Sequence, residues 1–376
     1  MRVAVVSNTA WYLVNFRLNL MRALVAAGHE VVAVAPTDAH AHRLIEAGIA
    51  FEPVDISGSG TNPVKEIGSV AQLRRIFRHR RVALVLSNTP KGNLYSALAC
   101  LSCGLPFVPN VSGLGRVFIQ RSAATLIAKV IYRLTFRHAR HVFFQNLDDQ
   151  ALFVDAGLVR RERSERIPGS GVDLLRFAPT PVPSRPVHAP VFLLVARLMW
   201  DKGVREYVEA AREVRANFPE VRFRLLGFLD VANPSAVPRS EVDGWVREGV
   251  VEYLGPTDDV RPFLADADCV VLPSYREGVP RTLLEAASMA RPIITTDAPG
   301  CRDTVLDGQS GYLCRVADAD DLARKVRQFM ALSQDRRAEM GRLGRCLMEE
   351  RFSEQFVIDR YLATVASIAA VQPPER

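Results

Sequence analysis

The sequence predicts an α/β chain of two doubly wound, Rossmann-like domains facing across a cleft. Three observations predict it. Short β-rich runs alternate with helical patterns from the first residues, as a parallel sheet covered on both faces requires. The alternation stops once, where five prolines fall within Phe177–Pro190, and then restarts. A length of 376 residues, at about 150 per domain, leaves room for two hydrophobic cores.

The strand runs of the first half are Val3–Val6, Val31–Ala35, Phe51–Val54, Val82–Leu86, Phe107–Val111 and Val142–Gln145. Between the first two, Asn15–Ala27 reads as one helix stopped by Gly28, glycine being the usual helix terminator. The proline-rich stretch cannot continue a helix or a central strand, so it reads as a linker. After it come Val191–Ala196, Phe223–Leu226, Val250–Tyr253, Cys269–Leu272, Pro292–Thr296 and Tyr312–Cys314, and the tail from Leu322 to Ala370 carries three helical patterns. The expected boundaries are 1–180 for the first domain, 181–190 for the linker, 191–352 for the second domain, and 353–376 for a last helix returning to the first. Ligands of such sheets bind beyond the strand C-terminal edges.

Composition excludes several classes. Apolar residues at 48% and charged residues at 24% exclude a disordered chain. No apolar run reaches the roughly 18 residues a membrane span needs, and the start of the chain lacks a signal-peptide core. Six cysteines in so long a chain do not make a disulfide scaffold. The lone pair Cys100 and Cys103 reads as small apolar helix residues, and none of the seven histidines has metal-ligand spacing. These features predict a cytoplasmic protein. Charge is uneven: residues 1–185 carry 23 Lys and Arg against 12 Asp and Glu, and Ile67 through Leu147 holds twelve bases and no acid. That stretch points to an anionic partner: a membrane surface, a diphosphate-bearing substrate or nucleic acid. It lacks a nucleic-acid motif or interleaved aromatic platform, which argues against the last.

Two segments of the second half carry chemistry. In Pro273-Ser-Tyr-Arg-Glu-Gly-Val-Pro-Arg-Thr-Leu-Leu-Glu-Ala286, Gly278 permits a turn, Val279 follows it, and Pro280 suits a first helical position. The helix N-terminus beyond offers N–H groups to phosphate. Glu277 and Glu285, eight residues apart, would stand about 12 Å apart if that stretch were all helical, a span for holding both ends of an extended ligand. Equally, one carboxylate caps the helix and the other lies on its surface. The strand Val191–Ala196 runs into Arg197 and then Lys202-Gly203, a fork and a point charge suited to a diphosphate, or a solvated loop pair.

Taken together, Arg197, Lys202-Gly203, Glu277-x7-Glu285 after Pro273-Ser274, Pro299-Gly300, Asp307-Gly308 and Gly311 resemble the family-4 retaining glycosyltransferases. The resemblance implies a GT-B fold, a nucleotide-diphosphate-sugar donor, read here as a UDP-sugar, and no catalytic metal or other cofactor. Carried over residue by residue, it implies Arg197, Lys202 and Glu277 as the catalytic group. Gly278, Val279, Pro280 and Glu285 would complete the donor site, with Glu285 on the ribose and Glu277 on the transferred sugar. In the first half, Asn15-Phe16-Arg17, Ser57–Pro63 and Gly113–Phe118, with Asn233-Pro234-Ser235 and Tyr253-Leu254-Gly255 in the second, resemble a narrower group that extends polyprenyl-diphosphate-linked oligosaccharides. Within it the likeness is nearest to N-acetylgalactosaminyltransferases acting on undecaprenyl-diphosphate-linked diacetylbacillosamine. Asn15, Arg17, Lys91, Ser112 and Gly113 are the acceptor-side candidates. Ser112-Gly113 stands where many family members carry a histidine. A soluble acceptor and a nucleotide-sugar epimerase of similar shape are the competing readings.

The acid-free stretch includes a helical pattern, Ser122–Arg137. Leu126, Ile127, Val130, Ile131 and Leu134 share one arc of its wheel, with Lys129, Arg133 and Arg137 along a border. Such a helix either docks on an anionic membrane with its bases snorkelling or packs its apolar arc on its own sheet. The expectation is a peripheral enzyme on the inner face of the cytoplasmic membrane.

Overall fold

The computed structural model describes residues 1–56, 63–113, 123–183, 185–231 and 233–371, and the side chains of 63 and 123–127 fall outside that description. The Ser57–Asn62 motif, most of Gly113–Phe118, Ser122, and the side chains of Leu126 and Ile127 therefore lie outside the described residues. The chain divides into two compact units, Met1–Ser170 with Gln355–Arg376, and Gly171–Glu354.

In unit 1 the strands are β1 (Arg2–Val6), β2 (Glu30–Ala35), β3 (Ala50–Pro53), β4 (Leu84–Asn88), β5 (Phe107–Val111), β6 (Val142–Phe144) and β7 (Ser164–Arg166). They form one parallel sheet in the order β3-β2-β1-β4-β5-β6-β7. The crossovers are helices α1 (Ala10–Phe16), α2 (Leu18–Ala26), α3 (Ala41–Glu46), α4 (Pro63–His79), α5 (Pro90–Cys103), α6 (Ala123–Phe136) and α7 (Leu147–Asp155). Alternation along β1 divides the core. Ala4 and Val6 face a cluster with Phe77 of α4, Tyr95 of α5 and Tyr132 of α6. Val3 and Val5 face one with Leu13 of α1 and Leu24 of α2. That period of two is what a sheet covered on both faces demands.

Unit 2 repeats the plan with β8 (Val191–Val195), β9 (Arg222–Leu226), β10 (Glu252–Tyr253), β11 (Cys269–Leu272), β12 (Ile293–Thr296) and β13 (Gly311–Cys314). All pairs are parallel, in the order β10-β9-β8-β11-β12-β13. Its helices are α8 (Val204–Asn217), α9 (Arg239–Arg247), α10 (Arg261–Ala265), α11 (Arg281–Ser288), α12 (Ala319–Met330) and α13 (Gln334–Arg351). The last helix, α14 (Glu354–Val371), places Tyr361 and Val365 in the core of unit 1. In both sheets the order reverses beside the first strand, at β1/β4 and at β8/β11, the switch points where open α/β sheets take ligands.

Three expectations change. The helix read as Asn15–Ala27 is two helices, because Arg17 leaves helical geometry at φ −133° and turns its side chain into the interior, 1% exposed. The proline-rich stretch is pinned to unit 2, so the first division falls at Ser170 and Gly171. Arg291 donates to the carbonyls of Thr180 and Pro181, at 3.2 and 2.7 Å, and Arg337 to that of Val187 at 3.0 Å. Strand β7 has no sequence signal, being three polar residues at a sheet edge.

Candidate active site

In unit 2, β8 and β11 release two neighbouring loops at the switch point, and backbone geometry brings them together. Gly203 has φ +72°, and a Cβ there would overlap the carbonyl oxygen of Pro273. Gly300 has φ +79°, and its Cβ would overlap the carbonyl of Gly278. Only glycine allows both the left-handed turn and the close approach. Tyr275 N donates to Asp201 O at 3.0 Å, and Ser274 Oγ lies 3.1 Å from the same carbonyl.

Side chains complete the clasp. Lys202 forms an ion pair with Glu277, and Ser274 Oγ donates to the same carboxylate oxygen at 2.8 Å. Both charged side chains are mostly buried, at 17% and 15% exposed. Arg197 is exposed on the same strand end and makes no hydrogen bond or ion pair among the described residues. Gly278 and Pro280 are buried and Val279 is partly exposed. Pro280 is the cap rather than the first helical residue, with φ −74° and ψ 107°. Glu277 therefore stands four residues ahead of α11, and the fully helical spacing to Glu285 does not apply.

Glu285 is the second enclosed carboxylate. Arg281, one turn earlier, donates to it at 2.9 Å. Burial raises the Glu285 pKa above the ordinary carboxylate range, and the Arg281 guanidinium offsets part of that rise. Sequence reasoning missed Arg281, although its i, i+4 spacing to Glu285 is an ion-pair signal. It also missed an outer layer. Ser235 Oγ donates to the Asp201 carboxylate, and Tyr275 OH donates to Glu206 Oε1 at 2.6 Å. Burial and that carboxylate push the Tyr275 pKa up. Cys301 sits near this group, and burial pushes its thiol up to about 12.

Unit 1 has a different strand-end chemistry, built from amides and hydroxyls. Asn93 Nδ2 donates to Asn110 O at 2.7 Å, Asn110 Nδ2 to Tyr361 Oη at 2.9 Å, and Ser87 Oγ to Asn93 Oδ1 at 2.8 Å. Arg17 is the cation among them, donating from Nε to Asn88 Oδ1 at 2.8 Å and from Nη1 to Phe16 O at 3.2 Å. Its guanidinium lies 5.8 and 5.7 Å from the ring centroids of Tyr12 and Tyr361. Of the other acceptor-side candidates, Asn15 bonds its own helix through Trp11 O at 2.9 Å. Lys91 pairs with Glu66 at 2.9 Å. Ser112 and Gly113 follow β5, both partly exposed. Arg17 bonds Asn88 at the end of β4, and Lys91 lies in the β4–α5 turn that follows.

On α6, Ala128, Tyr132 and Phe136 face the core. Val130 and Leu134, two of the five residues of the predicted apolar arc, are instead 53% and 52% exposed, beside exposed Lys129, Arg133 and Arg137. The helix buries a face one position away from the one its apolar residues suggest. No helix among the described residues is long and apolar enough to cross a membrane. Among the described residues no three His, Cys, Asp or Glu side chains gather as a metal-holding group. Cys100 is buried in the core of unit 1 on α5, and burial raises its thiol pKa.

Residues 14–170 match the family described as "Glycosyl transferase 4-like domain", and residues 189–331 the one described as "Glycosyl transferases group 1". Over its length the chain is similar to the N,N'-diacetylbacillosaminyl-diphospho-undecaprenol alpha-1,3-N-acetylgalactosaminyltransferase of Campylobacter jejuni. The two are 26% identical, and the likeness covers 96% of this chain and 97% of that one. The UDP-Gal:alpha-D-GlcNAc-diphosphoundecaprenol alpha-1,3-galactosyltransferase of Escherichia coli is 24% identical over 68% of each chain. Among solved structures, the Anabaena protein HepE in complex with UDP-glucose superposes with a TM-score of 0.79 at 18% identity. It covers 98% of this chain and 100% of that one, a likeness of fold.

Proposed function

The chain belongs to the family-4 glycosyltransferases of GT-B fold, and from that premise we propose a UDP-sugar donor and a polyprenyl-diphosphate-linked saccharide as acceptor, joined with retention and without a metal. The observation that carries the donor half is the Lys202–Glu277–Ser274 group beside exposed Arg197 at the β8/β11 switch point. Negative charge grows on the departing diphosphate as the glycosidic bond breaks, and fixed cations stabilise it most when they need not reorganise. Lys202 is already held in place by Glu277, while Arg197 is free to close on a phosphate as a planar fork. Glu277 then faces the transferred sugar and Glu285 the ribose hydroxyls, as acceptors of hydroxyl protons. Gly278, Val279 and Pro280 line the turn between them. In a front-face departure, the diphosphate oxygen takes the acceptor proton, so no carboxylate nucleophile is required.

The acceptor half rests on the two relatives whose names carry a diphospho-undecaprenol. Asn15, Arg17, Lys91, Ser112 and Gly113 in unit 1 form its candidate side. The exposed apolar and basic face of α6 supports docking on an anionic membrane, which we place on the cytoplasmic side. The test is a panel of UDP-sugars offered with a detergent-solubilised lipid-linked acceptor or a free sugar. Transfer to the lipid-linked acceptor that survives EDTA is the expected result. Transfer only to free sugar, or loss with EDTA and rescue by manganese, refutes the reading. For the membrane face, replacing Lys129, Arg133 and Arg137 with Gln should weaken cosedimentation with anionic vesicles by up to about 3 kcal/mol at low salt. UDP affinity should remain unchanged; pelleting equal to wild type assigns α6 to an ordinary surface.

A further inference from the structure

Beyond the donor site, we infer that the β4–α5 turn of unit 1, Thr89-Pro90-Lys91-Gly92, binds a phosphate group, with Lys91 as its direct ligand and Arg17 as the buried charge beneath it. The inference rests on the acceptor reading above, and names the part of the acceptor that this turn holds.

The turn lies at the β1/β4 switch point and opens a 14-residue helix, α5. Thr89 occupies the cap position yet does not cap. Its hydroxyl donates to Asn88 O at 2.5 Å and makes no capping bond to the first turn of α5. Its backbone stands at φ 66° and ψ 151°, a region close to glycine-only that costs about 1–3 kcal/mol and collects at ligand-holding loops. Thr89 also crowds the turn: a Cβ on Gly92 would meet Thr89 Oγ1 at 3.0 Å and Ser7 Cα at 3.5 Å. Position 92 thus keeps backbone close to β1.

The independent observation lies underneath. Arg17 is 1% exposed and Ser7 0%. Arg17 Nη2 and Ser7 Oγ are buried with no hydrogen-bond partner among the described residues. Arg17 has no carboxylate partner: its bonds go to the Asn88 amide and the Phe16 carbonyl. Stacking near Tyr12 and Tyr361 returns part of the cost of burying the cation, but an unpaired charge in a protein interior still lacks a counter-ion. The Arg17 Nε bond to Asn88, the residue just before the cap, sets that charge against the turn. The helix dipole, Lys91 and the buried charge of Arg17 all favour an anion at this turn. Glu66 now occupies Lys91, so it competes with that anion. A strut joining α1, β4 and α14 would also use Arg17, but it gives no role to Thr89 strain or to Lys91, and predicts no anion binding.

The probe is inorganic pyrophosphate, titrated by calorimetry into the full chain with UDP saturating, so that the cations of unit 2 are engaged. Wild type should bind. Glu66→Gln should bind about threefold tighter, since it removes a competing carboxylate. Lys91→Met should bind about tenfold weaker, losing one charge-assisted contact. UDP affinity should be equal in all three. Displacement of pyrophosphate by a short-chain polyprenyl diphosphate, and not by inorganic phosphate, assigns the ligand to a lipid-linked diphosphate. Displacement by phosphate alone keeps the site but assigns it to a free anion. No pyrophosphate binding, or equal binding by the three proteins, overturns the inference while leaving the donor reading intact. Failure of UDP itself to bind wild type overturns the donor reading instead.

Discussion

The two switch points of this chain have the same topology and opposite chemistry. At β8/β11 the enclosed charges are paired, Lys202 with Glu277 and Arg281 with Glu285, and exposed Arg197 stands at the same strand end. At β1/β4 the buried network is amides and hydroxyls around one cation, Arg17, whose partners are an amide and a carbonyl, with the Lys91–Glu66 pair at its edge. Paired charges hold a site rigid and exchange partners when a charged ligand arrives. A neutral network with one unmatched cation keeps a standing potential for an anion. The fold supplies the place twice, and the side chains decide which ligand each place suits.

The largest expected effect breaks the paired side. If Lys202 holds the donor diphosphate, Lys202→Ala removes that contact together with the ion pair to Glu277, which is only 15% exposed. UDP affinity should fall by about 2–3 kcal/mol, the worth of a hydrogen bond to a charged group. Turnover should fall by about 10²–10³-fold, as when a preorganised donor is lost. Calorimetry with UDP and steady-state rates measure the two. Unchanged UDP affinity would mean that the pair only fastens the two loops.

A smaller effect is the pH dependence that Glu285 brings to the site. Burial holds the Glu285 pKa above its ordinary value, so the folded protein keeps this proton at a pH where the unfolded chain has lost it. The group's contribution to stability is therefore greatest below the ordinary carboxylate range, and is lost as pH rises through the raised value. If Glu285 holds the ribose in its ionised form, UDP affinity should change in the other direction, weakening as pH falls through the raised value. The slope is at most about tenfold per unit. Glu285→Gln should flatten this profile. A wild-type profile that stays level down to the ordinary carboxylate range would take the ribose role from Glu285.

The same contrast explains what the sequence disclosed. The grouping of Arg197, Lys202 and Glu277 was legible because two short loops hold them, each directly after a strong apolar strand, with Glu285 in the helix that follows the second. The amides of unit 1 were not. Asn88, Asn93 and Asn110 enter one at a time from separate elements, and a lone asparagine at a strand end looks like any turn residue. Strand β7 was illegible because an edge strand of three polar residues has no hydrophobic alternation. The proline-rich stretch drew the domain boundary toward itself through backbone chemistry, whereas buried Arg291 and Arg337, far along the chain, decide where it packs. Helix α6 exposed a limit of the wheel. Its apolar arc and its buried face differ, since Tyr132 and Phe136 outweigh Val130 and Leu134 in the core.

The smallest effect tests backbone strain, on which the units also differ. Where unit 2 needs a left-handed residue at its site it has glycine, as at Gly203 and Gly300. Where unit 1 needs one before α5 it has Thr89, at φ 66°. Comparing Thr89→Gly with Thr89→Ala isolates the strain, because both remove the hydroxyl and its bond to Asn88 O while only alanine keeps a Cβ. If the conformation is strained, the glycine variant should be more stable than the alanine variant by about 1–2 kcal/mol. Glycine's extra unfolded-state entropy opposes this by about 0.5–1 kcal/mol and is already the smaller quantity. In a thermal melt of unit 1 that difference is a shift of about 2–5 °C. At Gly300 the same substitution, glycine to alanine, should destabilise, since its Cβ meets a carbonyl as well as a forbidden φ. Equal stability of the two Thr89 variants would mean that the turn relaxes without glycine, and that its threonine stores nothing for a ligand to release.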